Sequence, residues 1–283
     1  MSASLYKVTT FCAVALAMVD CATGAVVNEF FPIAGPTTPG NWYLADVAAG
    51  GTATIENLTG LGGNLETNQP LPTGAAKLTT VNTNPSKAEV YTYNDFGAAS
   101  AFLSSASLGY SYYKANSGAI SPDVAPAMKI QLFSAGGTGD NFGALVYEPY
   151  WNGAVTPDAW TTVAINSTTG GGGNDATGGW WWNGGFEVPN GAGGPPLRSL
   201  AEWAVAFAAA DPVDFAAARV VGIGMGIGTF NPAQTNYFDN VNYSFLAGGQ
   251  TWDFEAAVPE PTSILLLSIA VGSALVVRRQ RSA

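Results

Sequence analysis

The chain has 283 residues and a formal net charge of −10; 47% of its residues are hydrophobic and only 11% are charged. Histidine is absent, which excludes Ser-His-Asp and Cys-His catalysis and every metal site that needs imidazole. Between residues 26 and 261, six Lys and Arg stand against nineteen Asp and Glu, a net charge of −13 that excludes nucleic acid as a partner. The 35 glycines and the low charge favour an all-β extracellular domain with many turns.

Residues 1–25 have the pattern of a secretory signal peptide. Lys7 supplies the positive start and residues 8–19 the apolar core, and small residues precede the predicted cleavage after Ala25. A buried N-terminal helix and a lipid anchor on Cys21 are the alternatives.

Residues 26–257 are predicted to form one extracytoplasmic domain. Ten segments alternate in hydrophobicity or are rich in β-branched and aromatic residues, and Gly, Pro and Asn bound them, as is typical of strands joined by short turns. The fold class predicted from this pattern is all-β, an antiparallel, jelly-roll-like β-sandwich. The predicted strands are 51–58, 77–80, 88–93, 108–114, 127–133, 144–150, 160–166, 219–228, 236–245 and 250–255.

One short helix is predicted near residues 199–210. Ser199 and Glu202 have the spacing of a capping box, with Ser199 as the N-cap and Glu202 three positions later. Trp203 and Phe207 continue one apolar face, and the Asp-Pro pair at 211–212 ends the helix.

The segment after this helix alternates apolar residues with glycines and then reads Tyr-Phe-Asp-Asn-Val at 237–241. It resembles the final hairpin of bacterial jelly-roll domains of the carbohydrate-binding-module type, over residues 199–245. The resemblance implies a β-sandwich of that type. The glycines at 222, 224, 226 and 228 lie inside a strand pattern with no following helix, so they do not indicate dinucleotide binding.

Three consecutive tryptophans lie between glycine arms at 170–185. On a strand, Trp180 and Trp182 share one face and Trp181 takes the other, so at least one indole is expected near solvent. Flat apolar rings pack against sugar C–H faces, and an indole N–H can donate to a hydroxyl. The hypothesis is a glycan platform of Trp180, Trp181 and Trp182, with Tyr150 and Trp151 as a second aromatic group. The alternative is that these rings cover the core.

The acidic residues suggest two further kinds of site. A carboxylate pair for glycan hydrolysis or cleavage has four candidates, although none has a catalytic context: Glu148, Asp158, Glu187 and Glu202. A structural Ca²⁺ site is predicted where oxygen-bearing side chains gather at the ends of the last strands: Asp239, Asn240, Asp253 and Glu255. The alternative for both sets is solvated surface carboxylates.

The last 26 residues, 258–283, have three parts in order. A Pro-Glu-Pro element is followed by a largely apolar run over 264–277 and then by an arginine cluster, which the positive-inside rule keeps cytoplasmic. The apolar run predicts a transmembrane helix at the short edge of what spans a bilayer. The residues that define the tail are Pro259, Glu260, Pro261, Arg278, Arg279 and Arg281.

This tail resembles the PEP-CTERM sorting signal of exopolysaccharide-producing Gram-negative bacteria, a type of tail also described as an ice-binding protein C-terminal domain. The resemblance implies that an exosortase recognises the Pro-Glu-Pro element and removes the tail. A GPI signal and a permanent single-span anchor are the alternatives.

Together these features predict an exported, non-enzymatic bacterial cell-surface or matrix protein that binds polysaccharide. Signal peptidase and an exosortase are its expected processing partners, and the inner membrane holds it transiently. A carboxylate-dependent glycan hydrolase or lyase, or a purely structural envelope component, is the alternative.

Replacing Pro259, Glu260 and Pro261 with alanine is expected to leave membrane insertion intact and to block removal of the tail. The reason is that the apolar run alone halts export whereas the Pro-Glu-Pro element acts as the processing address. Mass spectrometry of the protein from its native host checks this. A wild-type chain that keeps Ala283 in most molecules would instead identify a permanent anchor.

Overall fold

The computed structural model describes residues 24–116, 121–136, 141–172, 178–191 and 193–257. The predicted sorting tail from residue 258 and the predicted signal peptide, except for residues 24 and 25, lie outside these ranges. Within these ranges, no helix is both long enough and apolar enough to cross a membrane.

Strands dominate the described residues. In chain order they are β1 (Ala25–Val27), β2 (Phe31–Pro32), β3 (Trp42–Ala48), β4 (Thr52–Asn57), β5 (Gly74–Thr79), β6 (Lys87–Tyr93), β7 (Ser107–Lys114), β8 (Ala127–Phe133), β9 (Phe142–Tyr147), β10 (Trp160–Asn166), β11 (Trp181–Gly184), β12 (Arg219–Ile227), β13 (Thr235–Phe245) and β14 (Gly248–Phe254). The helices are α1 (Gly63–Thr67), α2 (Ala99–Ser105), α3 (Leu200–Ala210) and α4 (Pro212–Ala217), with one 3-10 turn at Pro149–Trp151.

The strands form two seven-stranded sheets with a shared core between them. Sheet A has the order β1-β14-β13-β5-β4, and β7 joins β10 to the free side of β13. Sheet B has the order β11-β9-β8-β12-β6-β3-β2. The pairs β1–β14 and β2–β3 are parallel, and the other strand pairs within the described residues are antiparallel.

The all-β prediction is confirmed, and each of the ten predicted strands corresponds to a strand of the sandwich. Four strands, β1, β2, β3 and β11, had not been predicted. The segment predicted as a strand over 144–150 stops at Tyr147 because Pro149 begins a 3-10 turn.

The helix predicted near 199–210 is α3, and its capping box is formed. The Glu202 amide donates to the Ser199 hydroxyl, and the Ser199 amide donates to the Glu202 carboxylate. The prediction of a single helix is wrong, because three others lie within the described residues. One of them, α4, begins at Pro212, directly after the predicted end of α3.

The predicted final hairpin is also wrong. Strand β12 pairs with β6 and β8 in sheet B, whereas β13 pairs with β14, β5 and β7 in sheet A. The loop after Ile227 therefore crosses from one sheet to the other. The last hairpin of the described chain is β13–β14.

Two of the three consecutive tryptophans belong to the core. Trp180 and Trp182 are fully buried on the inner side of sheet B, where Trp182 packs edge-on against Phe207 of α3 with ring centroids 4.6 Å apart. The Trp203 indole of the same helix donates to the Trp180 carbonyl at 2.8 Å. Helix α3 thus covers this end of the sandwich with aromatic contacts.

Space for the Trp182 ring exists only because its neighbour on β9 is a glycine. Gly143 lies directly beneath the indole, and a Cβ there would overlap the ring atoms. The indole N–H of Trp182 is satisfied by the Gly185 carbonyl at 3.0 Å. The ring is therefore both packed and hydrogen-bonded, as a buried tryptophan requires.

Replacing Trp182 with Ala is expected to lower the free energy of unfolding by about 3–5 kcal/mol, because it leaves a cavity against α3. Trp181→Ala is the matched control, since that ring lies on the opposite, partly exposed face of the same strand. Urea unfolding followed by circular dichroism measures both. Equal losses for the two variants would contradict the burial pattern.

Candidate functional site

The outer face of sheet B, turned away from the core, contains a cavity of about 560 Å³. Alternation along β6, β8 and β11 directs Glu89, Lys129 and Trp181 to this face, and Glu148 reaches it just after β9. Asn183 of β11, the 3-10 turn and two loops complete the wall with polar groups and two more aromatic rings: Tyr150, Asn190, Thr229, Phe230 and Asn231.

A stripe of buried glycines on β12 lies beneath the side chains of this outer face. Strand β12 directs Ile223, Met225 and Ile227 into the core, so its glycines face outward. Neighbouring side chains lie across them: a Cβ would fall 2.8 Å from Gln131 at Gly222, 2.5 Å from Tyr91 at Gly224 and 2.8 Å from Glu89 at Gly226. The glycines are therefore needed for the close approach of these side chains.

Trp181 and Glu148 form the hydrogen-bonded centre of one cavity wall. The Trp181 indole N–H donates to the Glu148 carboxylate at 3.0 Å, which fixes the orientation of the ring. Burial raises the pKa of Glu148, while hydrogen bonds from Tyr150 and Trp181 oppose the rise. The wall thus presents an oriented indole, a phenol and a carboxyl group with an increased affinity for protons.

A buried ion pair occupies another part of the same cavity. The Lys129 ammonium lies 2.5 Å from the Glu89 carboxylate, and both side chains are largely shielded from water. Lys87, on the cavity lining next to Glu89 on β6, pairs with Asp46 of β3. The cationic groups of the cavity are thereby matched by carboxylates.

The structure brings two of the five predicted platform residues to the cavity. Trp181 and Tyr150 line the cavity, and Tyr150 is 38% exposed. Trp180 and Trp182 are buried, so the prediction that their rings form a glycan surface is wrong. Trp151 does not line the cavity. It is half-buried beside Tyr150 and donates its indole N–H to the carbonyl of Gly193, a lining residue, at 3.2 Å.

Only one of the four predicted acid/base candidates reaches the cavity. Glu148 does, whereas Glu202 caps α3, Asp158 accepts from the Asn116 amide at 2.8 Å, and Glu187 follows β11 in a loop. Glu89 had not been selected from the sequence. The signal was its alternation with Ala88 and Val90 on a predicted strand, which placed a charged residue on one face.

The predicted calcium site is not formed by the residues named for it. In the described part of the chain, no three acidic side chains come together in a way that could hold a metal ion. Both Glu255 oxygens already accept protein hydrogen bonds, from the Thr73 hydroxyl and the Gly74 amide. Asn240, in a left-handed backbone conformation, sits where the register of β13 shifts.

Asp239 is buried where β13 changes its neighbour from β5 to β14. One of its oxygens accepts from the Phe254 amide at 3.1 Å, and the other is buried without a partner. Burial raises the pKa of Asp239 to about 8, and the charges of Asp253 and Glu255 add to the rise. Burial and the Glu255 charge also raise the pKa of Asp253, to about 6. Asp239 is thus a neutral acid near neutral pH.

No family model and no curated protein matches this chain. Among solved structures, it is similar to a family 11 carbohydrate-binding module from Clostridium thermocellum in complex with a β-1,3-1,4-mixed-linked tetrasaccharide, at 12% identity and a TM-score of 0.36 over 82% of this chain and 99% of that one. A solution structure of CtCBM11 gives 13% identity and a TM-score of 0.38 over 81% and 99% of the two chains. An exo-β-agarase is similar at 13% sequence identity and a TM-score of 0.37, over 78% of this chain and 25% of that chain. Similarities of this size do not establish a family.

Stability is expected to fall as the pH rises from about 4 to about 8, because folded Asp239 keeps a proton that the unfolded chain has lost. The slope contributed by this one proton is at most about 1.4 kcal/mol per pH unit. Asp239→Asn should flatten the decline, whereas Asp123→Asn, at an exposed site, should not. Urea unfolding at pH 5, 6.5 and 8 measures this, and parallel declines in wild type and Asp239→Asn would refute it.

Proposed function

We propose that this chain is an exported, non-enzymatic cell-surface or matrix protein that binds an uncharged polysaccharide in the cavity on the outer face of sheet B. The main support for this proposal is the position of the Trp181 ring. This ring is partly exposed, oriented by its hydrogen bond to Glu148, and surrounded by side chains that can bond sugar hydroxyls.

The lining has the mixture that a sugar requires. A pyranose offers apolar C–H faces and a rim of hydroxyls, so it needs both flat rings and paired donors and acceptors. Trp181 and Tyr150 supply rings, and three asparagine side chains supply both kinds of hydrogen-bonding group: Asn183, Asn190 and Asn231.

Charge favours an uncharged polymer. Two lysines and two glutamates line the cavity, and Lys129 and Glu89 neutralise each other. The domain as a whole is acidic, with a net charge of −13 over residues 26–261, which repels anionic chains at long range.

A glycan hydrolase or lyase is the second candidate, because two carboxyl groups share the cavity and the pKa of one, Glu148, is raised. Binding is favoured over catalysis because protein donors already hold both groups. Glu89 is engaged by the Lys129 ammonium at 2.5 Å, and Glu148 accepts from the Trp181 indole at 3.0 Å.

Export and sorting belong to the proposal through the two ends of the sequence. A signal peptide over 1–25 and a PEP-CTERM-like tail over 258–283 would carry the domain across the inner membrane, hold it there transiently and then release it to the cell surface or matrix. A surface location suits a protein that binds polysaccharide.

The full-length wild-type chain is expected to be retarded in native gels that contain a neutral polysaccharide, with mixed-linkage β-glucan, xylan and β-1,4-galactan as probes and alginate as the anionic control. Trp181→Ala should weaken binding by about 30-fold, the factor for a tryptophan anchor worth about 2 kcal/mol.

Trp160→Ala is the matched control, because Trp160 is a partly exposed tryptophan that packs on Tyr113 in sheet A, away from the cavity. It should bind like wild type. Absence of retardation with every probe would favour a purely structural envelope component, and release of reducing ends that Glu148→Gln abolishes would favour the hydrolase.

A further inference from the structure

Phe230 is an exposed aromatic residue at the rim of the cavity. It lies in the loop between β12 and β13, its side chain is 73% exposed, and it belongs to the cavity lining. A single exposed apolar residue is common on protein surfaces and needs no explanation by itself. Phe230 combines this exposure with a left-handed backbone and a position in the cavity lining.

Phe230 has a left-handed backbone conformation, with φ at 64°. Bulky residues rarely adopt this region, which Gly and Asn enter far more readily. Phenylalanine therefore occupies a turn that a smaller residue would form with less strain. Its ring receives no compensating burial in the fold, since most of it faces water.

The loop itself is firmly attached without the ring. The Phe230 amide donates to the Asn84 carbonyl at 2.7 Å, and the Thr80 hydroxyl donates to the Asn231 carbonyl at 2.7 Å. The Ala233 amide donates to the Val81 carbonyl at 3.1 Å. These three hydrogen bonds to main-chain atoms of the loop hold it in place with the ring directed outward.

Phe230 and Trp181 border different sides of the cavity. Trp181 lies on β11, and the Phe230 loop leaves β12, three strands away in the order β11-β9-β8-β12. Three strand spacings of about 4.8 Å separate the two strands by about 14 Å across the sheet. The register sets Trp181 level with Gly224 of β12, so Phe230, beyond the end of that strand, is also offset along the strand direction. The two rings therefore leave room for a sugar chain between them.

We propose that Phe230 is a ligand-contact residue that packs against the C–H face of a sugar bound in the cavity. This inference rests on the proposed function and names a residue that adds affinity and selectivity to it. The phenyl ring has no donor or acceptor, so it favours a sugar face made of C–H groups. It disfavours a face that carries a hydroxyl, which would lose its hydrogen bond to water.

The test uses Phe230→Asn in the full-length chain, because asparagine accepts the left-handed conformation and removes the ring. Its melting temperature should equal or exceed that of wild type. Its dissociation constant for oligosaccharides of the best-bound probe among mixed-linkage β-glucan, xylan and β-1,4-galactan should rise by about tenfold. Phe230→Tyr should keep wild-type affinity.

Leu246→Asn is the matched control. Leu246 is 82% exposed, has φ at 54° and lies in the β13–β14 turn of sheet A, outside the cavity lining. It should bind like wild type in isothermal titration.

Wild-type affinity in Phe230→Asn would overturn this inference and leave the proposed function standing, whereas failure of the wild-type chain to bind any probe would overturn both. Unfolding of Phe230→Asn would assign the ring a structural role and overturn the inference alone.

Discussion

The strict alternation of side chains along β11 is the constraint on which the rest of the site depends. Trp180 and Trp182 are buried in the core, where Trp182 packs against Phe207 of α3 and fills the space above Gly143. Because side chains alternate along a strand, Trp181 must then lie on the opposite face. A slip of one residue would expose two indoles and bury one, at a large loss of apolar contact. The same packing that stabilises the edge of the sandwich therefore aims a tryptophan at the cavity and at Glu148.

Strand β12, at the centre of sheet B, also links the packing of the core to the arrangement of the outer face. Its inner side packs Ile223, Met225 and Ile227 into the core, and the glycines of its outer side let neighbouring side chains lie across the strand: Tyr91, Gln131 and Glu89. Glycine in the middle of a strand costs conformational entropy, which the packing on the inner face must offset. These glycines also let the Glu89 and Lys129 side chains meet across β12 at the cavity.

Local patterns predicted much of this fold. Alternation located all ten predicted strands, and the capping box of Ser199 and Glu202 located α3. Sequence alone does not assign strands to sheets, so the resemblance over residues 199–245 predicts a hairpin for the β12–β13 segment although its strands belong to different sheets. That assignment depends on long-range pairing, which a two-residue period does not encode. Short edge strands such as β1 and β2 exist only through their parallel partners, β14 and β3.

The candidate site was likewise predictable only where single residues stand out in the local sequence. Trp181, Tyr150 and Glu148 stood out as unusual residues, and the structure brings them together in one wall. Glu89 and Lys129 did not stand out, because a charged residue on a strand usually faces solvent. Their ion pair forms across β12, between β6 and β8, and appears only when the glycine stripe between them lets the side chains meet. Acidic residues near strand ends suggested calcium, yet burial gives Asp239 a proton instead, since a lone carboxylate in the core is costly to ionise.

The charges of the domain as a whole and of the cavity both argue for an uncharged ligand. Across residues 26–261 acidic groups exceed basic ones by thirteen, so the surface as a whole repels anions. Within the cavity the lysines are paired with carboxylates, which removes the free positive charge that would hold an anionic sugar. Glu148 is also a poor ligand for a cation, because burial raises its pKa and one of its oxygens already accepts from the Trp181 indole. Because the polar groups are matched among themselves and lie beside rings with exposed apolar faces, we propose a neutral sugar as the ligand of this cavity.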